Sequence, residues 1–309
     1  DAERRQDRKW FFLRPLVNRV LLPLTRRGLS RGIDVSWVAS RPAWGVGRID
    51  PFNPVKFGFL KQTPDDTVGN SDMLPIWAIA DRPSGAFHLD GLNTNLREVF
   101  ISSALGDGAT LDSVEVEHLD EMREWLATVT PPGFPFPLDA AKVERGAALY
   151  ERECVRCHGP GGASPGEVID QAEVGTDRNR LDMWTESAAR TYNAYSRGKP
   201  WEMRSFRKTN GYIAPPLRGS WLTAPYLHNG SVPSLRALLD PPEARPASFV
   251  RGYDVVDPVA GGFVSDARAE GKGLRVDVGV RGNSNAGHTY GTTLAPDEKD
   301  ALVEYLKTL

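Results

Sequence analysis

DAAKVERGAALYERECVRCHG, Asp139 to Gly159, decides how the rest of this chain is read. Ala140, Val143, Ala147 and Tyr150 recur at helical spacing, and Asp139 stands where a helix N-cap belongs. The predicted helix runs directly into Cys154, Cys157 and His158. C-x-x-C-H is the spacing at which two thiols form thioether bonds to a haem while the next histidine reaches its iron. A zinc site would need four ligands, and both cysteines of the chain are already in this motif. A thioredoxin-like dithiol would open a helix after a strand, whereas this motif ends a helical stretch. The reading is one covalent haem c, anchored by Cys154 and Cys157, with His158 on the iron and a Gly-rich loop after it.

The end of the chain agrees. In APDEKDALVEYLKTL, Ala295 to Leu309, Pro296 suits the first helical position and acids follow in the first turn. Leu302, Tyr305, Leu306 and Leu309 make one apolar stripe. In cytochromes c the closing helix crosses the opening one beside the haem. That pairing would enclose residues 139–309 as one haem domain.

A second, quieter copy lies upstream. FHLDGLNTNLREVF, Phe87 to Phe100, parallels YLHNGSVPSLRALL, Tyr226 to Leu239. HLDEMREWLATV, His118 to Val129, parallels DALVEYLKTL, Asp300 to Leu309. The order is the same in both halves: a His-Gly loop, a short helix, a closing helix. Residues 1–130 are therefore expected to be a partial or haem-less cytochrome-c-like domain. PPGFPFP, within 131–138, is the expected stiff linker. The expected fold class is mainly α, with two cytochrome-c-like domains, many ordered loops, and the haem in the C-terminal domain.

Composition narrows the function classes. The 309 residues carry 38 Lys and Arg against 40 Asp and Glu. That balance gives no electrostatic footprint for nucleic acid or for an anionic membrane. The longest apolar stretch, WFFLRPLVNRVLLPL from Trp10 to Leu24, is broken by Arg14, Asn18, Arg19 and two prolines, so no membrane span is expected. Thioether attachment needs an extracytoplasmic maturation system. The expected location is the periplasm, with an export signal removed or outside this chain.

PPLRGSWLTAPYLHNGSVPSLRALL (Pro215–Leu239), RPASFVRGYD (Arg245–Asp254), GNSNAGHTYGTTLAPDEKDALVEYLKTL (Gly282–Leu309) and GVGRIDPFNPVKF (Gly45–Phe57) resemble the dihaem cytochrome c peroxidase-like group. Within it the sequence is most similar to the rubber oxygenases and their periplasmic relatives. The resemblance spans about residues 44–309. That family has two C-x-x-C-H motifs, and this chain carries the second. The resemblance implies that Cys154, Cys157, His158 and the His288 loop match a C-terminal, electron-transferring haem with histidine on both faces. The family's oxygen-binding haem sits on the N-terminal motif that this sequence lacks. Peroxidase or oxygenase activity therefore does not simply carry over.

What closes the far face of the iron is the open question. The chain has five histidines and four methionines. His118 reads as a solvated helix residue, His88 as a loop residue of the first half, and Met122 as part of a stripe with Leu119 and Leu126. Met73 also falls in the first half. Met183 comes early after His158. Met203 has aromatic neighbours that core packing explains. His228 sits in an Asn-Gly turn, flanked by Tyr226 and Asn229, and is expected to support the pocket. His288, in a Gly-rich loop nine residues before Asp297, is the favoured ligand, with Met203, His228 or an open face as alternatives. Trp184, Trp201 and Trp221 read as core residues. Arg218, Arg236 and Arg251 are candidate donors to haem propionates. The leading function is electron transfer with a redox partner protein or a small-molecule donor or acceptor. The rivals are a haem peroxidase or oxygenase and a non-catalytic binding module.

Overall fold

The computed structural model describes residues 14–25, 36–79, 85–159 and 167–309. The Gly-rich loop expected after His158 lies mostly outside the described residues, as do Trp10 to Leu13 of the apolar stretch. The chain falls into two units, residues 1–41 with 64–66, and residues 42–63 with 67–309. In the first, residues 14–25 are helical with a π-helical turn at Val17–Leu21. Leu16, Leu21, Leu22 and Leu24 on it are exposed.

The second unit is mainly helical, with three two-stranded ladders. β1 (Arg48–Ile49) pairs antiparallel with β2 (Ser71–Asp72). α1 (Leu96–Gly106) is capped by the Asn95 side chain, which accepts from the Arg97 N–H. α2 (Val116–Leu126) follows. The Pro-rich stretch comes next, and its Phe134 ring packs edge-on against Trp221 at 5.3 Å. α3 (Ala140–Glu153) starts where the sequence predicts, with Asp139 accepting from the Ala141 and Lys142 N–H groups. α4 (Val155–His158) carries the cysteine motif. β3 (Val168–Asp170), α5 (Gln171–Val174), α6 (Asn179–Met183) and α7 (Glu186–Tyr195) lead to β4 (Gly211–Ile213), which pairs with β3. α8 (Leu235–Leu238), the β5 (Ser248–Arg251) and β6 (Leu274–Asp277) ladder, and α9 (Pro296–Leu306) complete the order.

The contact that organises this unit is the crossing of α3 and α9. A Cβ on Gly146 would lie 2.1 Å from the Ala301 carbonyl oxygen, so only glycine admits so close a crossing. Tyr150 and Tyr305 pack ring to ring at 5.2 Å beside it. The Asp139 N–H donates to Glu304 at 2.8 Å and Arg145 pairs with Asp297 at 2.8 Å. The core there joins Leu149, Tyr150, Tyr226, Leu235, Leu302 and Leu306. A second core joins Leu92, Ile101 and Leu105, from before the Pro-rich stretch, with Met183, Trp184, Tyr192 and Met203 from after it.

The internal repeat is visible in the backbone. Phe87 bridges Asn93, and Tyr226 bridges Val232, each pair closing a turn of the same length. The second residue of each turn, His88 or Leu227, has φ of 63° or 66°, and the fifth, Gly91 or Gly230, has 65° or 62°. Asn95 and Ser234 then cap the helix that follows in each copy. The copies diverge at the closing helix. Leu302 and Leu306 of α9 are buried under α3, whereas Met122 and Trp125 of α2 are exposed. Met122 thus joins no buried stripe, because its side of α2 faces outward.

Gly146→Val should destabilise the protein by about 1–3 kcal/mol through overpacking at the crossing. Gly133→Ala, where an added Cβ meets nothing within 4 Å, should be close to neutral. Equal guanidinium midpoints for the two variants would contradict the crossing as described.

Candidate haem site

The last turn of α3 passes straight into the cysteine motif. The Cys154 N–H donates to the Tyr150 carbonyl at 2.9 Å, and the His158 N–H to the Cys154 carbonyl at 2.9 Å. The motif is therefore one helical turn, which puts Cys154, Cys157 and His158 on the same wall of a cavity. That cavity holds about 1600 Å³ of atom-free space, part of it open to solvent. Its walls are largely apolar and include Ile213, Leu217, Leu235, Leu239 and Leu306. An apolar cavity with two thiols on one wall and imidazoles at hand fits a covalent haem.

The chemistry of the thiols separates the two readings of C-x-x-C. Burial, with Glu153 and Cys157 adding to it, pushes the Cys154 thiol up to about 12. A dithiol redox centre needs the opposite shift, toward a reactive thiolate. The Cys154 site does not resemble one.

His158 Nδ1 lies 2.7 Å from the Pro215 carbonyl oxygen. A carbonyl can only accept, so Nδ1 carries the proton and Nε2 keeps its lone pair. His288 enters the same cavity from the loop before α9, and the two ring centres are 6.4 Å apart. The His288 N–H donates to the Val174 carbonyl at 2.8 Å. Its φ is +46°, a left-handed value that a non-glycine residue takes only where its surroundings insist. Gly287 beside it approaches the Gly175–Thr176 backbone so closely that a Cβ would sit 2.3 Å from a main-chain carbon. Burial lowers the His158 imidazole below its ordinary range. Burial first, then the neighbouring His158 and Arg245, lowers His288 to about 3. Both rings are thus held neutral, the form that binds a metal.

The other candidates are distributed as follows. His228 and Tyr226 also line the cavity. The His228 ring stacks on Tyr212 at 3.9 Å and 13°, and Tyr226 donates its hydroxyl to the Ser220 carbonyl at 2.8 Å. Asn229 donates to the Gly282 and Ser284 carbonyls, tying this loop to the segment that leads to His288. Met183 and Met203 lie in the second core, outside the cavity wall. His88 packs against Phe52 at 5.3 Å, and its neighbour Leu89 faces the cavity instead. His118 is exposed and pairs with Glu115. Trp184, Trp201 and Trp221 are buried, as their bulk suggested. Of the three arginines, Arg218 lines the cavity. Arg236 pairs with Asp240 and Asp300, and Arg251 holds Asp72 with two bonds of 2.6 and 3.0 Å.

Three contributors escaped sequence reasoning. Pro215 is one of 24 prolines, and nothing local marks its carbonyl as the partner of His158. Met73, on the segment after β2, lines the cavity from the first half of the chain. Arg245 binds the carbonyls of the His288 loop. Only its place in the RPASFVRGYD resemblance gave any signal.

With this geometry in hand, the comparisons are specific. A family model described as RoxA-like, cytochrome c-like matches residues 211–250, which include β4 and the His228 loop. A model for cytochrome c oxidase, cbb3-type, subunit III matches residues 141–212, which include the cysteine motif. Residues 141–250 thus carry cytochrome c-like sequence, RoxA-like over 211–250. The uncharacterized protein y4iJ of Sinorhizobium fredii is 32% identical over 361 aligned positions, covering 86% of this chain and 60% of that one. The uncharacterized protein y4iM of the same organism is 31% identical, covering 66% of this chain and 56% of its own. The chain thus spans well under two thirds of the length of both relatives. The alignment with y4iJ is longer than the whole 309-residue chain, so that relative carries inserted stretches that this chain lacks.

Burial, with the Arg180 charge adding to it, pushes the His228 imidazole well below its ordinary range. The unfolded chain therefore takes up a proton there before the folded one does. Stability supplied by the neutral ring is present above about pH 6.5 and is lost as pH falls below it, by up to about 1.4 kcal/mol per pH unit. In the haem-loaded protein, where iron would withhold His158 and His288 from titration, His228→Phe should flatten the fall in unfolding temperature between pH 7 and pH 5. An unchanged slope would mean that the buried imidazole is not its source.

Proposed function

We propose that this chain is an electron-transferring c-type cytochrome whose one covalent haem is held by Cys154 and Cys157 and ligated by His158 and His288. The observation that carries the proposal is the 6.4 Å between the two ring centres. Two neutral imidazoles that close together could hold one metal ion between them, since metal–nitrogen bonds are about 2 Å. A bound haem would supply a one-electron couple and nothing else in the chain needs to react. His158, its Nδ1 proton held by Pro215, offers Nε2 in a fixed direction. His288 is kept neutral by its surroundings, desolvation first. His158 and His288 would together hold the iron, and the largely apolar walls of the cavity would limit reorganisation around it.

The finer points of the reading follow from it. The partner is a redox protein or a small-molecule donor or acceptor, and the compartment is the periplasm. Among the described residues no helix is long and apolar enough to cross a membrane. Residues 139–309 would form the haem domain, with the segment before the Pro-rich stretch as the remnant of a second cytochrome-like copy. An enzymatic role, as a peroxidase or oxygenase, would require a further haem with an open face.

A haemochrome assay on the denatured protein should give one haem per chain, retained by the polypeptide; a second haem would favour the enzyme. His288→Ala should convert low-spin iron to a high-spin or water-ligated form that takes up carbon monoxide when reduced. His228→Ala and Met203→Ala should leave it low-spin. Low-spin iron in His288→Ala would refute the ligand assignment.

A further inference from the structure

Arg245 is almost fully buried, yet none of its bonds goes to a carboxylate. Its Nε donates to the Asp240 carbonyl at 2.9 Å. Nη1 donates to the carbonyls of Asn285 and Gly287, the latter at 2.9 Å. Nη2 donates to those of Leu238 at 3.2 Å and His288 at 3.0 Å. All five N–H groups are thereby spent on main-chain oxygens. The carboxylate of Asp240, whose main-chain oxygen Arg245 binds, pairs instead with Arg236 and Lys299. The five oxygens belong to two segments. Leu238 ends α8 and lines the cavity, and Asp240 lies two residues beyond it. Asn285, Gly287 and His288 form the loop that presents the second imidazole.

A buried charge satisfied by carbonyls alone is an expensive way to gain stability, since a desolvated guanidinium is costly unless its geometry is well matched. What the arrangement provides is position. The His288 main chain is left-handed, and Gly287 before it also has positive φ, at 75°. Such a pair persists only when its surroundings over-determine it. The Val174 carbonyl holds the His288 N–H from one side, and Arg245 holds the loop carbonyls from the other. Lysine could not substitute. Its three donors radiate from one point and cannot span two segments as a planar fork does.

We infer that Arg245 is the positioning residue of the His288 imidazole, fixing the 285–288 backbone against the end of α8; the inference rests on the proposed ligation by His288. The test uses the haem-loaded protein, in which the covalent cofactor stays with the chain even if the loop loosens. Arg245→Gln should shift part of the ferric iron from low-spin to high-spin and speed carbon monoxide uptake by the reduced protein about tenfold or more. Arg245→Lys should not restore the wild-type rate. Guanidinium ion added to Arg245→Ala should slow uptake again, a rescue that general destabilisation would not show. If Arg245→Gln fails to fold, Arg245→Lys and the guanidinium rescue carry the same test. Arg236→Gln, which breaks an outer ion pair on the same helix, should leave spin state and uptake unchanged. Opening of the iron by Arg236→Gln to the same extent would overturn the inference. So would wild-type spectra and rates in Arg245→Gln and Arg245→Lys while His288→Ala opens the iron. If His288→Ala itself changes nothing, the ligand assignment fails instead, and the two failures are told apart.

Discussion

The haem site depends on a helix crossing that allows no side chain at Gly146. Because α3 lies backbone-close on α9, the turn that follows α3 is held against the end of the chain. That turn is Cys154 to His158, and the side chains it meets include Leu306 on the cavity wall. Residues separated by some 150 positions are thereby fixed with respect to each other. Elsewhere the unit relies on short helices and two-stranded ladders, which have little stability alone. Their order comes from packing around this crossing and around the second core.

The two histidines are presented by different means. His158 ends a regular helical turn, and one carbonyl sets its tautomer. His288 has no element behind it. Its loop is held by contacts of main chain with main chain at Gly175–Gly287, by the Val174 carbonyl, and by Arg245. The first needs a helix and a partner carbonyl, and the second needs convergence of three distant segments. That difference also explains what the sequence made legible. The cysteine motif, the capped α3, the Pro296 start of α9 and the Gly-rich loop before it are local patterns, and each could be read directly. Pro215, Met73 and Arg245 act through contacts that only the fold creates, and a proline, a methionine or an arginine carries no periodic or spacing signal of such a role.

The exposed face of α2 shows the same limit from the other side. Its likeness to α9 is real at the level of pattern. Yet pattern sets only which residues share a face, and burial requires a partner. α9 has α3 across it, while Met122 and Trp125 face outward. A stripe of apolar residues was therefore legible; that Leu119 packs against the second core while Met122 faces outward was not.

Both copies of the repeat build the same turn, with left-handed residues at the same two positions. The side chains on that turn differ. Where the second copy puts His228 on the cavity wall, the first puts Leu89, and where the second has the left-handed Leu227, the first has His88. The backbone of the turn is thus a scaffold indifferent to its chemistry. An imidazole in the first copy is offset by one residue and packs against Phe52, while the cavity receives an apolar side chain. In the second copy Leu227 and His228 both line the cavity, so the packing around each turn, and not the offset alone, decides which side chains reach it. Counting histidines in matching loops therefore overstates how many can approach a metal; what packs around each turn decides it.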